Sequence, residues 1–208
     1  MKKRMTYFKY SVIALLLFTS CKTEVKPIKG LIVEKAMVVS AREEASKIGS
    51  AILKKGGNAF DAMVATELAL AVAYPCAGNI GGGGFMVYRM ANGDIGSLDY
   101  REKAPKAATK DMYLDSLGNI IPNKSTRGAM AVGIPGTVAG MFAVHNKFGS
   151  LPMETILQPV IELAEKGFVV TKNQEERIQS KQQDFREVNT DSILFLNHFK
   201  ENDTLKQP

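Results

Sequence analysis

The sequence predicts a layered α/β protein in which helices cover a sheet. Three observations carry that reading. Short β-branched runs open the body at Leu31-Ile32-Val33 and at Ala36 to Val39. Two helical segments with readable ends follow. Then two alternating runs, Phe85 to Met90 and Ile95 to Tyr100, flank Asn92-Gly93, a dipeptide that marks hairpin turns because their central residues need positive φ. Further helical stretches close the chain. The order strand, helix, helix, hairpin, helices places sheet against helix. At 208 residues the chain suits one large domain or a piece of a larger one.

The opening runs are expected as one or two strands, from their Val and Ile content. Ser40-Ala41-Arg42-Glu43 has the capping-box pattern, serine serving a backbone N–H and glutamate reaching back. Ala41, Ala45, Ile48 and Ile52 recur at helical spacing, and Lys54-Lys55-Gly56-Gly57 is a helix ending. Asn58 caps the next helix with Asp61 in its first turn. From Ala59 to Ala73 the polar side chains are Asp61, Thr66 and Glu67, so this helix is enclosed on nearly every side and stops before Pro75. Later helices are expected over Thr137–Lys147, over Met153–Lys166 (broken or bent near Pro159) and over Lys172–Phe185, the last opened by the capping-box pattern Thr171-Lys172-Asn173-Gln174. Gly149 and Gly167 close the first two.

The formal charge of +6 is misleading. Lys2, Lys3, Arg4 and Lys9 fall in the first 20 residues, which hold no acid; the rest has 23 basic residues against 21 acidic. A near-neutral body with no basic stripe excludes a nucleic-acid partner. Residues 1–20 read as an export signal: a basic start, the apolar run Val12 to Phe18, then Thr19-Ser20 before Cys21. The run is too short to span a bilayer. Cys21 after two small residues fits a bacterial lipoprotein signal in which that cysteine takes the lipid; the plainer reading is an ordinary secretory signal. Residues 21–30 then form a polar tether, and residues 31–208 the domain. Beyond Cys21 only Cys76 remains, so no disulfide framework is expected, and Cys76 reads better as a small buried hydrophobe than as a nucleophile.

Gly81-Gly82-Gly83-Gly84 suggests phosphate binding at first sight. The loop follows a helix and precedes a strand, the reverse of the dinucleotide and phosphate-loop motifs, and no Gly-Lys-Ser/Thr follows. The glycines instead let backbone pass close to a neighbouring segment or a substrate. Arg101, in Asp99-Tyr100-Arg101-Glu102-Lys103-Ala104-Pro105, has two readings of equal weight: a planar fork for a carboxylate, or a structural salt bridge to Asp99 or Glu102. His145 and His198 are the only histidines. No metal-ligand spacing and no Ser-His-Asp set can be assembled, so neither a metal nor a cofactor is expected. His145 is expected to pack or to meet the last carbonyls of its helix. Gly133-Ile134-Pro135-Gly136-Thr137 reads as a turn opening a helix.

Taken together, these segments resemble the start of γ-glutamyltranspeptidase (glutathione hydrolase) precursors. The matching pieces run in family order: Met37 to Ala41, Ile52 to Ala62, Gly78 to Phe85, Asp99 to Pro105, Gly133 to Gly140 and Leu205 to Pro208. The resemblance covers residues 36–208. It implies the αββα sandwich of the N-terminal-nucleophile hydrolases, here an incomplete N-terminal fragment. Such precursors cut themselves into a large and a small subunit, and the new N-terminal threonine of the small subunit attacks γ-glutamyl amides, its own α-amine serving as base. Partners implied are γ-glutamyl small molecules such as glutathione, acceptor amino acids, peptides or water, the small subunit of the same precursor, and a membrane through the lipid anchor.

The resemblance assigns Arg101 to the α-carboxylate of the γ-glutamyl group. The Thr-Thr-His nucleophile block is absent from the 208 residues, so no catalytic residue is assigned, the nucleophile is placed beyond the chain's end, and the chain alone is expected to be inactive. Two alternatives stay open: a related acylase or poly-γ-glutamate depolymerase, and a non-catalytic lipoprotein that binds amino acids or peptides. Missing sheet partners are expected to leave apolar surface exposed.

Overall fold

The computed structural model describes residues 30–78, 80–191, 193, 196 and 199–205. The proposed signal, Cys21, the tether apart from Gly30, His198 and the last three residues lie outside the described set. The chain divides into two units, Met1–Glu34 and Lys35–Pro208. The described residues of the first are irregular and exposed. Every described helix and strand belongs to the second.

The elements of that unit are α1 (Glu43–Lys54), α2 (Ala59–Ala73), β1 (Phe85–Arg89), β2 (Ile95–Asp99), a single 3₁₀ turn (Ala129–Ala131), α3 (Thr137–Phe148), α4 (Met153–Lys166), β3 (Phe168–Val169), α5 (Lys172–Gln179), α6 (Gln182–Val188) and β4 (Thr204–Leu205). Helix α2 is the hub. Ala62, Val64 and Ala65 join Ile52, Met86, Met141, Val144 and Ile156 in the main core. Ala69 packs with Ala45 and Val160, and Ala73 with Phe168, Val170, Ile178 and Phe199. A helix that feeds three clusters is apolar all round, as its sequence demanded.

The ends of α2 are set locally. Asn58 Oδ1 accepts from the backbone N–H of Phe60 (2.8 Å) and Asp61 (3.0 Å), and the Asp61 carboxylate accepts in turn from the N–H of Asn58 (2.9 Å). Asp61 is fully buried and also accepts from the Ser150 hydroxyl (2.5 Å) and N–H (3.0 Å), while Asn58 Nδ2 donates to Phe148 O (2.7 Å). One capping box thus fastens the start of α2 to the α3–α4 turn. Burial by itself would raise the Asp61 carboxyl; the Ser150 hydroxyl and the backbone N–H groups of Asn58, Ser150 and Leu151 outweigh it and hold the group below the usual aspartate range.

Strands β1 and β2 pair antiparallel with Phe85 opposite Asp99, Val87 opposite Ser97 and Arg89 opposite Ile95 on one face, Met86 opposite Leu98 and Tyr88 opposite Gly96 on the other. Tyr88 meets the stacked pair Phe60–Phe148 edge-on, which seats the second face on α2 and α3. The connection is not the two-residue turn that Asn92-Gly93 suggested. Gly93 N–H bonds Met90 O (3.0 Å) and Met90 N–H bonds Asp94 O (2.7 Å); Gly93 alone takes positive φ (+96°), which is a type I turn followed by a glycine bulge.

Other expectations change. Residues 31–39 form no strand: their backbones find no ladder partner among the described residues, and β propensity without a partner makes no sheet. Ser40 does not cap α1. Its hydroxyl turns to Ser46 Oγ (2.8 Å) and Arg42 O (2.7 Å), so the helix starts at Glu43 with no side-chain cap. The capping box at Thr171 and Gln174 does form, yet the helix it opens breaks at Ser180-Lys181 into α5 and α6, where Ser180 Oγ bonds back to Arg177 O. Helix α4 runs through Pro159 uninterrupted. Cys76 is half-buried, with Arg177 Nη1 3.8 Å from its sulfur, and is no core residue.

A buried polar network holds the far end of α2. Gln174 Nε2 donates to Ala73 O (2.8 Å), and its Oε1 accepts from Arg42 Nη1 (2.8 Å) and Thr171 N–H (3.0 Å); Arg42 also reaches Glu44 and Val169 O. Arg127, from the loop after β2, pairs with Asp184 (2.7 Å) and Glu187 on α6.

Candidate functional site

The glycine loop, the end of the hairpin and the start of α3 converge on Arg101. The ladder of β1 and β2 continues through Tyr100 N–H to Gly84 O (3.0 Å), and Lys103 and Ile134 then exchange both backbone bonds (3.1 and 2.8 Å). Arg101 therefore sits on extended backbone held on both sides. Gly82 O accepts from Gly136 N–H (2.8 Å) and Thr137 N–H (3.1 Å), the unpaired donors of the first turn of α3.

Close approach explains the glycines. A Cβ on Gly83 would lie 2.7 Å from Glu102 N, and one on Gly84 2.7 Å from the Tyr100 ring. The expectation that this ribbon hugs a neighbouring segment is met, and that segment carries Arg101. Gly136 belongs to the same arrangement: a Cβ there would fall 1.9 Å from Tyr100 O. Gly140, one turn into α3, makes room for the Tyr100 ring, whose phenol is pushed up by burial and then by the charge of Glu67.

The Arg101 side chain is exposed. Neither salt bridge allowed by its spacing forms. Asp99 Oδ1 accepts from the backbone N–H of Arg101 (2.9 Å), and the guanidinium instead stands 6.0 Å from the centroid of Phe85. It borders two hollows. One, of about 340 Å³, is lined by Tyr100, Ile134, Pro135, Gly136 and Ala139 among others. The other, of about 480 Å³, is lined by Glu102, Met112, Tyr113, Met130 and Val132 among others. None of the residues bordering either hollow is a serine, threonine, cysteine or histidine. This arrangement can hold a carboxylate by a forked pair of hydrogen bonds, and its lining carries no hydroxyl nucleophile of serine or threonine and no thiol.

Sequence reasoning pointed to Arg101 and the ribbon, and its turn at Gly133 to Thr137 does open α3. It passed over the Tyr100 ring, Met112 and Met130 as neighbours of Arg101. The signal for the ring was Gly140, a glycine inside a helix where a large side chain packs. His145 lies far from this site in role: its Nε2 meets Leu151 O at 2.8 Å across the α3–α4 turn.

Residues 45–208 match the family model for gamma-glutamyltranspeptidase. The glutathione hydrolase proenzyme of Pseudomonas sp. (strain A14) is 49% identical over 165 residues, which are 79% of this chain and 29% of that protein. The crystal structure of Helicobacter pylori gamma-glutamyltranspeptidase superposes with a TM-score of 0.78 at 42% identity, covering 87% of this chain and 52% of that one. The gamma-glutamyltranspeptidase of Pseudomonas nitroreducens, solved in complex with L-DON, gives 0.76 at 43% identity over 85% of this chain and 52% of that one. The chain spans less than a third of the curated relatives it matches and about half of the solved chains. With helix, glycine ribbon, hairpin and Arg101 segment in place and in that order, the chain belongs to the gamma-glutamyltranspeptidase family and carries part of its N-terminal-nucleophile hydrolase fold.

Proposed function

We propose that this chain is the carboxylate-gripping part of the large subunit of a γ-glutamyltransferase/glutathione hydrolase. The observation that carries the proposal is the Arg101 guanidinium, exposed and, among the described residues, without a carboxylate partner at the end of the hairpin. Its fork takes the α-carboxylate of a γ-glutamyl donor such as glutathione, which fixes the distance from that end of the substrate to the γ-amide. The threonine of a small subunit cut from the same precursor then attacks the γ-carbonyl carbon. Its α-amine receives the hydroxyl proton and passes it to the departing amine, leaving an acyl-enzyme. Water or the amine of an acceptor amino acid or peptide releases the glutamyl group. This chain's part is binding and orientation; bond breaking belongs to the companion subunit.

The proposal includes the exported, lipid-anchored form: residues 1–20 as signal, Cys21 as lipidation site and residues 21–30 as tether, with the enzyme working at the membrane outside the cytoplasm. The basic start, apolar run and small residues before Cys21 support it.

Arg101→Gln in the complete precursor is the direct test. Loss of a desolvated bidentate charged contact costs about 2–5 kcal/mol, so KM for a γ-glutamyl anilide rises on the order of 30-fold or more, while self-cleavage, followed on a gel, proceeds as before. An unchanged KM refutes the assignment. Comparing glutathione with acylated antibiotics and poly-γ-glutamate as substrates separates the transferase from an acylase or depolymerase. A precursor that binds amino acids and cleaves none of the three is the non-catalytic lipoprotein.

A further inference from the structure

We infer that Glu67 is a docking carboxylate that receives the lysine or arginine of an extended segment of the companion subunit, laid along residues 36–39. The inference rests on the two-subunit reading and adds to it a contact and a chemistry.

Glu67 lies mid-way along α2, the most enclosed helix of the fold. Its side chain is half-buried and makes no hydrogen bond or ion pair among the described residues. It borders a hollow of about 520 Å³ whose other walls include Met37, Val38, Val39, Met63 and Leu70. No lysine, arginine or histidine lines that hollow. Burial already holds the Glu67 carboxyl above the usual glutamate range, and the titratable group it influences, the Tyr100 phenol, is acidic rather than cationic. Among the described residues, this chain supplies no positive charge to offset it.

The opposite wall is a strand in waiting. Val38 packs into the core while Met37 and Val39 face outward, the period-two alternation of extended chain. The backbone of residues 36–39 makes no hydrogen bond among the described residues. Such an edge is a template for an added strand. A strand added there covers the hollow and removes the remaining water from Glu67. A buried carboxylate without a partner either destabilises the complex or takes up a proton, and a strand that brings its own cation avoids both costs. A purely apolar segment fits the walls and fails at Glu67; a basic side chain flanked by apolar ones satisfies both.

Carbodiimide labelling of Glu67, read by mass spectrometry, tests this in the complete large subunit expressed alone and in the processed two-subunit protein. Glu67 takes label in the large subunit alone, and its labelling rate falls about tenfold or more when the companion is bound. Glu67→Met provides the second measurement. In the large subunit alone it leaves the melting temperature unchanged or higher, because it removes a desolvated charge; in the processed protein it lowers it, because it strands the partner's cation. A lysine- or arginine-to-glutamate change in the companion, combined with Glu67→Lys, restores the loss and identifies the cation. Equal labelling in both forms, or a fall in melting temperature of equal size in both, overturns the inference. Protection of Glu67 in a protein without γ-glutamyl activity leaves the docking contact standing and removes only the enzymatic reading; full activity with Glu67 still labelled does the opposite.

Discussion

The two ends of the helix–hairpin unit are finished to different degrees. Around the caps of α2, the buried polar groups have found partners within the chain: Asp61 with Ser150, Gln174 with Ala73 and Arg42, Asn58 with Phe148. Around the outer face of the hairpin the reverse holds. Phe85, Val87 and Ile95 are 63%, 84% and 78% exposed, and Arg101 beside them has no carboxylate partner among the described residues. Contiguous apolar surface of that kind marks a face that another layer covers. The difference teaches that this chain stabilises itself through α2 and presents its chemistry on the side it does not close.

The contrast can be broken from the closed side first. Gly136→Val drives a side chain into the Tyr100 carbonyl at the join of α3 and the hairpin, where α3 cannot retreat without losing Gly82 O as acceptor, nor Tyr100 without losing Gly84 O. Overpacking against backbone costs about 3 kcal/mol or more, so urea denaturation of the chain loses most of its cooperative transition. Asp61→Ala comes next. It removes the cap of α2 and strands the Ser150 donors, at about 2–3 kcal/mol in denaturant titrations. The same carboxylate shapes the acid limb. Because its pKa is depressed in the folded state, its contribution is complete above the unfolded value of about 3.9 and is lost as pH falls from there through the folded value. The wild type therefore loses stability in that window and Asp61→Ala loses less, which pH-dependent thermal melts read directly. The smallest effect on folding lies on the open side. Val87→Thr with Ile95→Thr shifts the unfolding free energy by less than about 0.5 kcal/mol yet raises the soluble fraction in light scattering. A large loss of stability from that pair would mean the hairpin's outer face is already covered within this chain.

Legibility in the sequence tracks the range of the forces involved. Helix α2 was readable to the residue because Asn58, Asp61 and Pro75 act within one turn of its ends. Ser40 misled because its hydroxyl is taken by Ser46 Oγ, and because Arg42 is drawn to Gln174, 132 positions away. The opening runs looked like strands because Val and Ile favour them, and strand formation depends on a neighbour no local pattern names. At Arg101 the spacing to Asp99 and Glu102 left two readings level. In the fold the guanidinium pairs with neither carboxylate, and Asp99 Oδ1 accepts from the Arg101 backbone N–H instead. The Gly136 turn looked ordinary because its collision partner, Tyr100, is distant in sequence.

The bond pattern at Gly82 has a consequence for affinity. Its carbonyl is shared by two donors from the first turn of α3, so the glycine-rich segment gives up its conformational freedom when the protein folds. Under the carboxylate role proposed for Arg101, a ligand meets a surface already arranged, and little of its interaction energy is consumed in ordering a loop. Such preorganisation lets a single charged contact bind more firmly than the same contact on a mobile tip.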